Sequence, residues 1–308
     1  MNEIDVVIGG RGFLGSSLAR RLSATGRPAR IVTRDAKTAA MGSLLPGVEV
    51  VQGDLEATKT LPVLLLGARA VYFSVPISGL AEAPGDWNPL PFLAACAELG
   101  VHLIVPIDIS LYRCDGNPPY DEKAELIGRG SLGEAQLEWE NAALLEGLRR
   151  RFAVTVVRLP PLLGEGLKAE EIREAIARAR TARPIEILGR GDEVVERVHV
   201  DDAARACSLV AGKRETAGEI LHIAGHPIRR RNFFRILVKV AESKAEVVSL
   251  DMPEVPRRKR RDFPDPPRDF WVRGEKSRRM IGYAPEISYE RALRESLATP
   301  LARDAASA

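Results

Sequence analysis

The stretch VVIGGRGFLGSSLARRL, residues 6–22, decides the fold. It runs from β-branched apolar residues through a glycine-rich turn, with Gly9, Gly12 and Gly15 three apart, into leucines and an alanine at helical spacing. A strand, a tight loop and an amphipathic helix in that order form the phosphate-holding unit of a dinucleotide-binding fold. Each glycine has a physical task there. Gly9 permits a sharp turn, Gly12 lets backbone N–H groups approach a pyrophosphate, and Gly15 lets the helix pack closely on the sheet. The helix N-terminus then faces the anion. Gly10, Arg11, Phe13 and Leu14 complete the loop and are expected to touch the same ligand.

Further β-branched runs follow at 29–33, 48–52, 70–74, 101–107 and 152–157, after a first at 4–8. Near-continuous apolar strands argue for a parallel sheet covered on both faces. Helical stretches at 13–25, 87–99 and 132–149 alternate with them. The expected fold class is therefore α/β, a Rossmann-like doubly wound parallel sheet. After residue 160 the texture changes. PPLLGEG (160–166) reads as a loop, 168–180 as a helix, and VVERVHV (194–200) as a strand leading into a helix opened by Asp201 and Asp202. EILHIAG (219–225) reads as a strand, and helices are expected at 231–242, 274–282 and 288–298. The expected division is 1–160 plus 192–225 as dinucleotide-binding domain, and 161–191 plus 226–300 as a smaller, mainly C-terminal substrate lobe. Residues 301–308 form a tail. The cleft between the lobes is the expected ligand site.

Composition narrows the classes of function. Forty-five basic and 42 acidic residues nearly cancel, so bulk charge gives no argument for nucleic acid. The run RRKRR (257–261) reads as a solvated basic loop or as a contact for an anionic group. Cys96, Cys114 and Cys207 lack any pairing pattern and are expected as reduced structural thiols. No His, Cys or Asp cluster has metal-ligand spacing, so no metal is expected. The start, MNEIDVVIGG, has no basic leader pattern, and the apolar run 61–77 is broken by Pro62, Gly67 and Arg69. A cytoplasmic protein with a small-molecule substrate, and no nucleic-acid or membrane partner, is the expectation.

With its GxxGxxG spacing and the wording GGRGFLG, the chain resembles the extended short-chain dehydrogenase/reductase family, also called the NAD-dependent epimerase/dehydratase family. The resemblance runs over nearly the whole length. QGDL (52–55) looks like the family signature whose aspartate, here Asp54 with Leu55 beside it, takes the adenine amino group. RLPPLLGEG (158–166), RVHVDDAARA (197–206), GEILHIAG (218–225) and SRRMIGYAPEISYERALRESL (277–297) are similar to later family blocks. The resemblance implies that Ser74, Val75 and Pro76 approach the cofactor ribose. It puts the backbone around Leu159 to Leu162 near the nicotinamide. The second strand ends IVTRD, with Arg34 where NAD-preferring members carry an acid. Arg34 and Arg11 suit a 2′-phosphate through bidentate guanidinium geometry, so NADP is expected, with NAD as the alternative. Asp35 would repel that phosphate if it pointed inward. The resemblance also implies a homodimer through the 132–149 helix.

Active members of the family carry a serine or threonine after the fifth strand and a Tyr-x-x-x-Lys pair on the next helix. The lysine makes the phenol acidic, and the phenolate exchanges a proton with the substrate. Aligned to that pattern, Asp108 stands at the serine, Leu132 at the tyrosine and Gln136 at the lysine, with Gly133 and Glu140 where the family has them. A two-residue slip substitutes Gly130 and Glu134, and neither register restores the pair. Gln136 keeps the capacity to bond ribose hydroxyls. The groups left to move a proton are Asp108, Ser110 and Tyr112, then Tyr120 or water. An aspartate beside a nicotinamide and apolar walls acquires a raised pKa. Tyr120 and Lys123 lie three apart but fall on an expected mobile loop.

Three readings stay open: an NADPH-dependent reductase, a silent dinucleotide-binding sensor or assembly partner, and a non-redox isomerase, cyclase, dehydratase or epimerase. The segment VVERVHV lacks the arginine of many sugar-nucleotide members, which points to a small aromatic or polyketide-like metabolite. His199 and His222 are expected to be packed on strands and His102 to face an edge, while His226, following a strand, is a minor candidate for the cleft. Trp87, Trp139 and Trp271 read as apolar anchors.

Overall fold

A computed structural model describes residues 4–35, 37, 44–76, 87–114, 117–250 and 268–299. The first half alternates strands and helices as the periodicity requires. In chain order these are β1 (Ile4–Ile8), α1 (Phe13–Ala24), β2 (Ala29–Thr33), β3 (Val48–Gln52), α2 (Leu61–Leu64), β4 (Ala68–Phe73), α3 (Leu90–Glu98) and β5 (His102–Asp108). A short hairpin of β6 (Tyr112–Cys114) and β7 (Leu126–Gly128) precedes the long α4 (Gly130–Arg150) and β8 (Val154–Leu159). The second half holds β9 (Leu162–Leu163), α5 (Glu170–Arg180), β10 (Ile185–Leu188), β11 (Val194–Val195), β12 (Val198–His199) and α6 (Val200–Val210). Then come β13 (Ile220–His222), β14 (Ile228–Arg229), α7 (Arg230–Val240), β15 (Val247–Leu250), α8 (Glu275–Ile281) and α9 (Tyr289–Leu297).

Seven of the strands form one sheet in the order β13-β8-β5-β4-β1-β2-β3, and every pairing in it is parallel. The fold is a Rossmann-like α/β sandwich. The strand order reverses beside β1, so the loop after β1 lies at the switch point where such sheets bind ligands. Strand alternation builds two cores from one sheet. Val6, Ile8, Phe73, Leu103 and Val105 face one side, with Trp139 and Ala143 of α4. Val7, Tyr72, Ile104 and Val157 face the other, against Leu14, Leu18 and Leu22 of α1. Those three leucines recur every fourth residue, and burying each contributes about 1.5–3 kcal/mol. A third core joins Ile172 and Ile176 of α5, Ile185 and Ile187 of β10, Phe233 and Phe234 of α7, and Leu293 of α9.

Several expectations are corrected. VVERVHV is not one strand: Glu196 and Arg197 separate β11 from β12. His102 does not face an edge but is buried, its Nε2 at 2.8 Å from Thr155 Oγ1 and its Nδ1 accepting from the Gly212 N–H. Tyr120 is not on a free loop. It is buried, bridged to Val272 and packed against the Phe270 ring. RRKRR and the 301–308 tail lie outside the described residues.

Candidate functional site

The loop between β1 and α1 separates the tasks of its glycines. Gly9 has φ +80°, and a Cβ there would lie 2.8 Å from Val75 and 3.0 Å from the Ser74 carbonyl oxygen. A Cβ on Gly10 would meet Ile31 at 2.6 Å, and one on Gly15 would collide with the Gly9 carbonyl oxygen. Those three are demanded by packing. Gly12, the N-cap of α1, has φ −68° and ψ 170°, open to any residue. A Cβ there would find only the Gly9 oxygen at 3.1 Å and the Ser74 oxygen at 3.7 Å. Beyond them is space over the helix N-terminus, whose first N–H groups have no intrahelical acceptors.

That space opens into a cavity of about 310 Å³ lined by Gly9, Arg11, Gly12, Thr33, Arg34, Asp35, Asp54, Leu55 and Val75, among others. Two arginines and three acids therefore meet at its rim, Glu56 included. Arg11 Nη1 lies 3.1 Å from Asp35 Oδ2, with both side chains largely exposed. Asp35 points toward the cavity, as feared for a phosphate, but is held by Arg11. Asp54 Oδ1 accepts the Glu56 N–H at 3.0 Å, which fixes the carboxylate on the wall. Ser74 Oγ donates to the Ile8 carbonyl at 2.8 Å and so staples β4 to β1 under the loop. Pro76 follows it, exposed. Phe13 and Leu14 start α1; Leu14 is core, while Phe13 packs against both the second and the third core.

At the end of β5 the three proton candidates separate. Asp108 is exposed, and its Oδ1 accepts from the Ser110 N–H at 2.9 Å and the Ser110 hydroxyl at 2.6 Å. The carboxyl is reached by solvent yet hemmed in by protein. Desolvation raises its pKa, against the two Ser110 bonds and the charge of Arg197. Tyr112 is not at the surface. It is fully buried and donates its hydroxyl to Glu140 Oε2 at 3.0 Å. Burial, then the Glu140 charge, pushes the phenol far above its ordinary range. Tyr112 reaches no cleft, because β6 turns it under α4.

Gln136 is corrected too. It is buried, and its Nε2 donates to the Asp108 carbonyl at 2.8 Å rather than facing a ribose. Leu132, one turn earlier, is half-buried against the first core. Gly133 is forced, since a Cβ there would collide with the Leu111 carbonyl oxygen. Below them Glu140 pairs with Arg158, both buried, and Arg158 reaches the His222 ring at 3.5 Å. Burial and the Arg158 charge lower the His222 pKa to about 3, so it stays neutral. His226 is exposed, with its carbonyl accepting from Tyr289.

Two groups were invisible to motif reading. Glu196 is buried and accepts the Gly225 N–H at 2.8 Å and the Val272 N–H at 2.9 Å. Desolvation raises its pKa to about 7 in spite of those bonds. His199, Asp201 and Glu295 bring ligand-capable atoms within 4.8 Å of one another. No linear spacing foretold that trio, because Glu295 comes from α9. Its acids already have protein partners: Ser17 donates to Asp201, and Arg291 to Glu295 at 2.8 Å. Among the described residues no helix is long and apolar enough to cross a membrane.

Residues 2–87 match the model of the NmrA-like family, and residues 136–224 that of the NAD dependent epimerase/dehydratase family. The same fold recurs in solved epimerases. The epimerase Mth375 of Methanothermobacter thermautotrophicus superposes with a TM-score of 0.78 at 19% identity, over 96% of this chain and 91% of that one. The chain has the fold of that epimerase. UDP-glucose 4-epimerase of Thermotoga maritima, solved with UDP-glucose, gives 0.77 at 18% identity, over 96% and 97%. UDP-glucuronic acid 4-epimerase of Bacillus cereus, solved with NAD, gives 0.77 at 17% identity, again over 96% and 97%. No curated protein matches the chain.

Proposed function

We propose that the chain binds a nicotinamide dinucleotide at the β1–α1 loop, prefers NADP(H) to NAD(H), and reduces a small aromatic or polyketide-like metabolite. The observation that carries this reading is the cavity beside the glycine loop, bordered by Arg11 and Arg34 and continuous with the open space over Gly12. The residues fit such a group. Gly12 leaves room for a diphosphate on the helix N-terminus, Asp54 and Leu55 line an adenine-sized wall, and the arginines answer a 2′-phosphate. Val75, following Ser74 and preceding Pro76, closes the ribose side. The NAD-bound epimerase of the same fold supports the cofactor class.

NADPH, when bound, supplies a hydride. The chain's own part is to exclude water and to deliver a proton. Asp108 is the group for that, with Ser110 fixing the rotamer of its carboxyl. Leu132 offers only apolar contact where a phenol would stand. That favours an acceptor whose developing charge is spread by conjugation and needs little acid help. In this reading the protein is cytoplasmic and pairs through α4, where Leu145 and Leu148 are exposed on one side of the helix.

A second reading, a dinucleotide held without turnover, is favoured by the burial of Tyr112 and the inward turn of Gln136. Incubation with NADPH and a panel of conjugated carbonyl and imine compounds separates the two through nicotinamide absorbance. The reductase reading expects consumption, reduced about a hundredfold or more in Asp108→Asn. Binding with no turnover across the panel supports the silent reading. Product without net change in cofactor would favour an isomerase or epimerase instead.

A further inference from the structure

The last helix reaches back to the dinucleotide end of the molecule. Ser296, fully buried, accepts the Gly164 N–H on its Oγ at 3.0 Å and donates to the Ala292 carbonyl at 2.8 Å. Thr299, 5% exposed, accepts the Gly166 N–H on its Oγ1 at 2.9 Å. One residue before Ser296, Glu295 Oε2 stands 2.8 Å from the buried His199 Nε2. Arg180 of α5 donates to the Leu297 carbonyl at 2.6 Å.

The turn so held has little stiffness of its own. Gly164 and Gly166 have φ +132° and +90°, regions that only glycine enters freely. The turn is nevertheless fixed in place, and on its inner side Gly166 faces Phe13: a Cβ there would lie 3.5 Å from the ring. Phe13 is the first residue of α1 after Gly12. Gly12 lines the cavity bordered by Arg11 and Arg34, but neither Phe13 nor Gly166 does.

We infer that the end of α9 is a clasp on the dinucleotide site, with Ser296 and Thr299 as positioning residues that hold the Gly164–Gly166 turn over Phe13. The inference rests on the dinucleotide reading above. It assigns the clasp to the nicotinamide half of the ligand, and not to its adenosine half.

The test uses the full chain and two probes, NADPH and adenosine 2′,5′-bisphosphate, titrated calorimetrically. Ser296→Ala combined with Thr299→Val removes both hydroxyls. The expected result is a roughly tenfold loss of NADPH affinity, from two lost hydrogen bonds, with bisphosphate affinity unchanged within about twofold. Thr299→Ser, which keeps the hydroxyl, is expected to bind NADPH like the wild type. If the double variant does not fold, Thr299→Val alone gives the same split on a smaller scale. Equal loss of both probes, or undiminished NADPH binding in a folded double variant, overturns the clasp. A wild type that binds neither probe overturns the dinucleotide reading, and the clasp with it.

Discussion

At the rim of the cavity the two arginines differ in what a phosphate must displace. Arg11 already faces Asp35 at 3.1 Å, but both side chains are largely exposed, and such pairs are worth about 0–1 kcal/mol. Giving up Asp35 for a doubly charged phosphate therefore costs little. Arg34 lines the same cavity, exposed at the end of β2. Arg34→Ser should weaken NADPH binding by at least roughly tenfold, the scale of a lost charged hydrogen bond, and leave NADH within about twofold. Equal weakening of both cofactors, measured by nucleotide fluorescence, would remove the 2′-phosphate assignment. Asp108, Arg34 and the glycines were legible in the sequence because strand ends and loop spacings fix where they sit. Tyr112 and Gln136 were not. Whether a side chain beyond β5 points to the cleft or under α4 depends on the β6–β7 hairpin, which no local period announces.

Among the elements, the segment 268–274 is anchored in part by one buried carboxylate. Glu196, between β11 and β12, accepts N–H groups from Gly225 and from Val272, and so joins three stretches distant in sequence. Val194 binds the same segment, accepting from the Phe270 N–H and donating to Asp269. The Glu196 pKa of about 7 lies above the ordinary glutamate value of 4.5. The folded state thus holds a proton that the unfolded chain releases. Its stabilising share is complete below the unfolded value and is lost as pH rises through about 7, on the order of 3 kcal/mol in all. Urea midpoints should therefore fall more steeply between roughly pH 4.5 and 7 in the wild type than in Glu196→Gln. Parallel pH profiles would contradict the assignment. Helices were readable because a period of 3.6 persists over enough residues, and the sheet strands because they are near-continuous apolar runs buried on both faces. The two-residue strands β9, β11, β12 and β14 carry no period, and Glu196 broke a run that read as one strand.

For the whole molecule, strand order follows from the alternation of elements and right-handed crossovers, which is why the parallel sheet could be expected from composition and spacing alone. The return of α9 to the Gly164–Gly166 turn could not, since contacts across more than a hundred residues leave no local trace. The proposed dimer belongs to this scale. Leu145 and Leu148, 63% and 80% exposed, sit three apart on α4 and so share a face. Leu148→Glu is expected to shift sedimentation from dimer to monomer with no loss of thermal stability; a wild type that sediments as a monomer would contradict the pairing. The central claim is that the β1–α1 loop holds a diphosphate over Gly12. Gly12→Val is the most direct test, because the backbone dihedrals at this position suit any residue, the one tight contact a Cβ would make is with the Gly9 carbonyl oxygen at 3.1 Å, and the added side chain would occupy the space in which the diphosphate is proposed to lie. Calorimetric titration should find NADPH binding in the wild type and none in Gly12→Val, with the variant still unfolding in one cooperative transition. NADPH binding that survives in the folded variant would contradict the account.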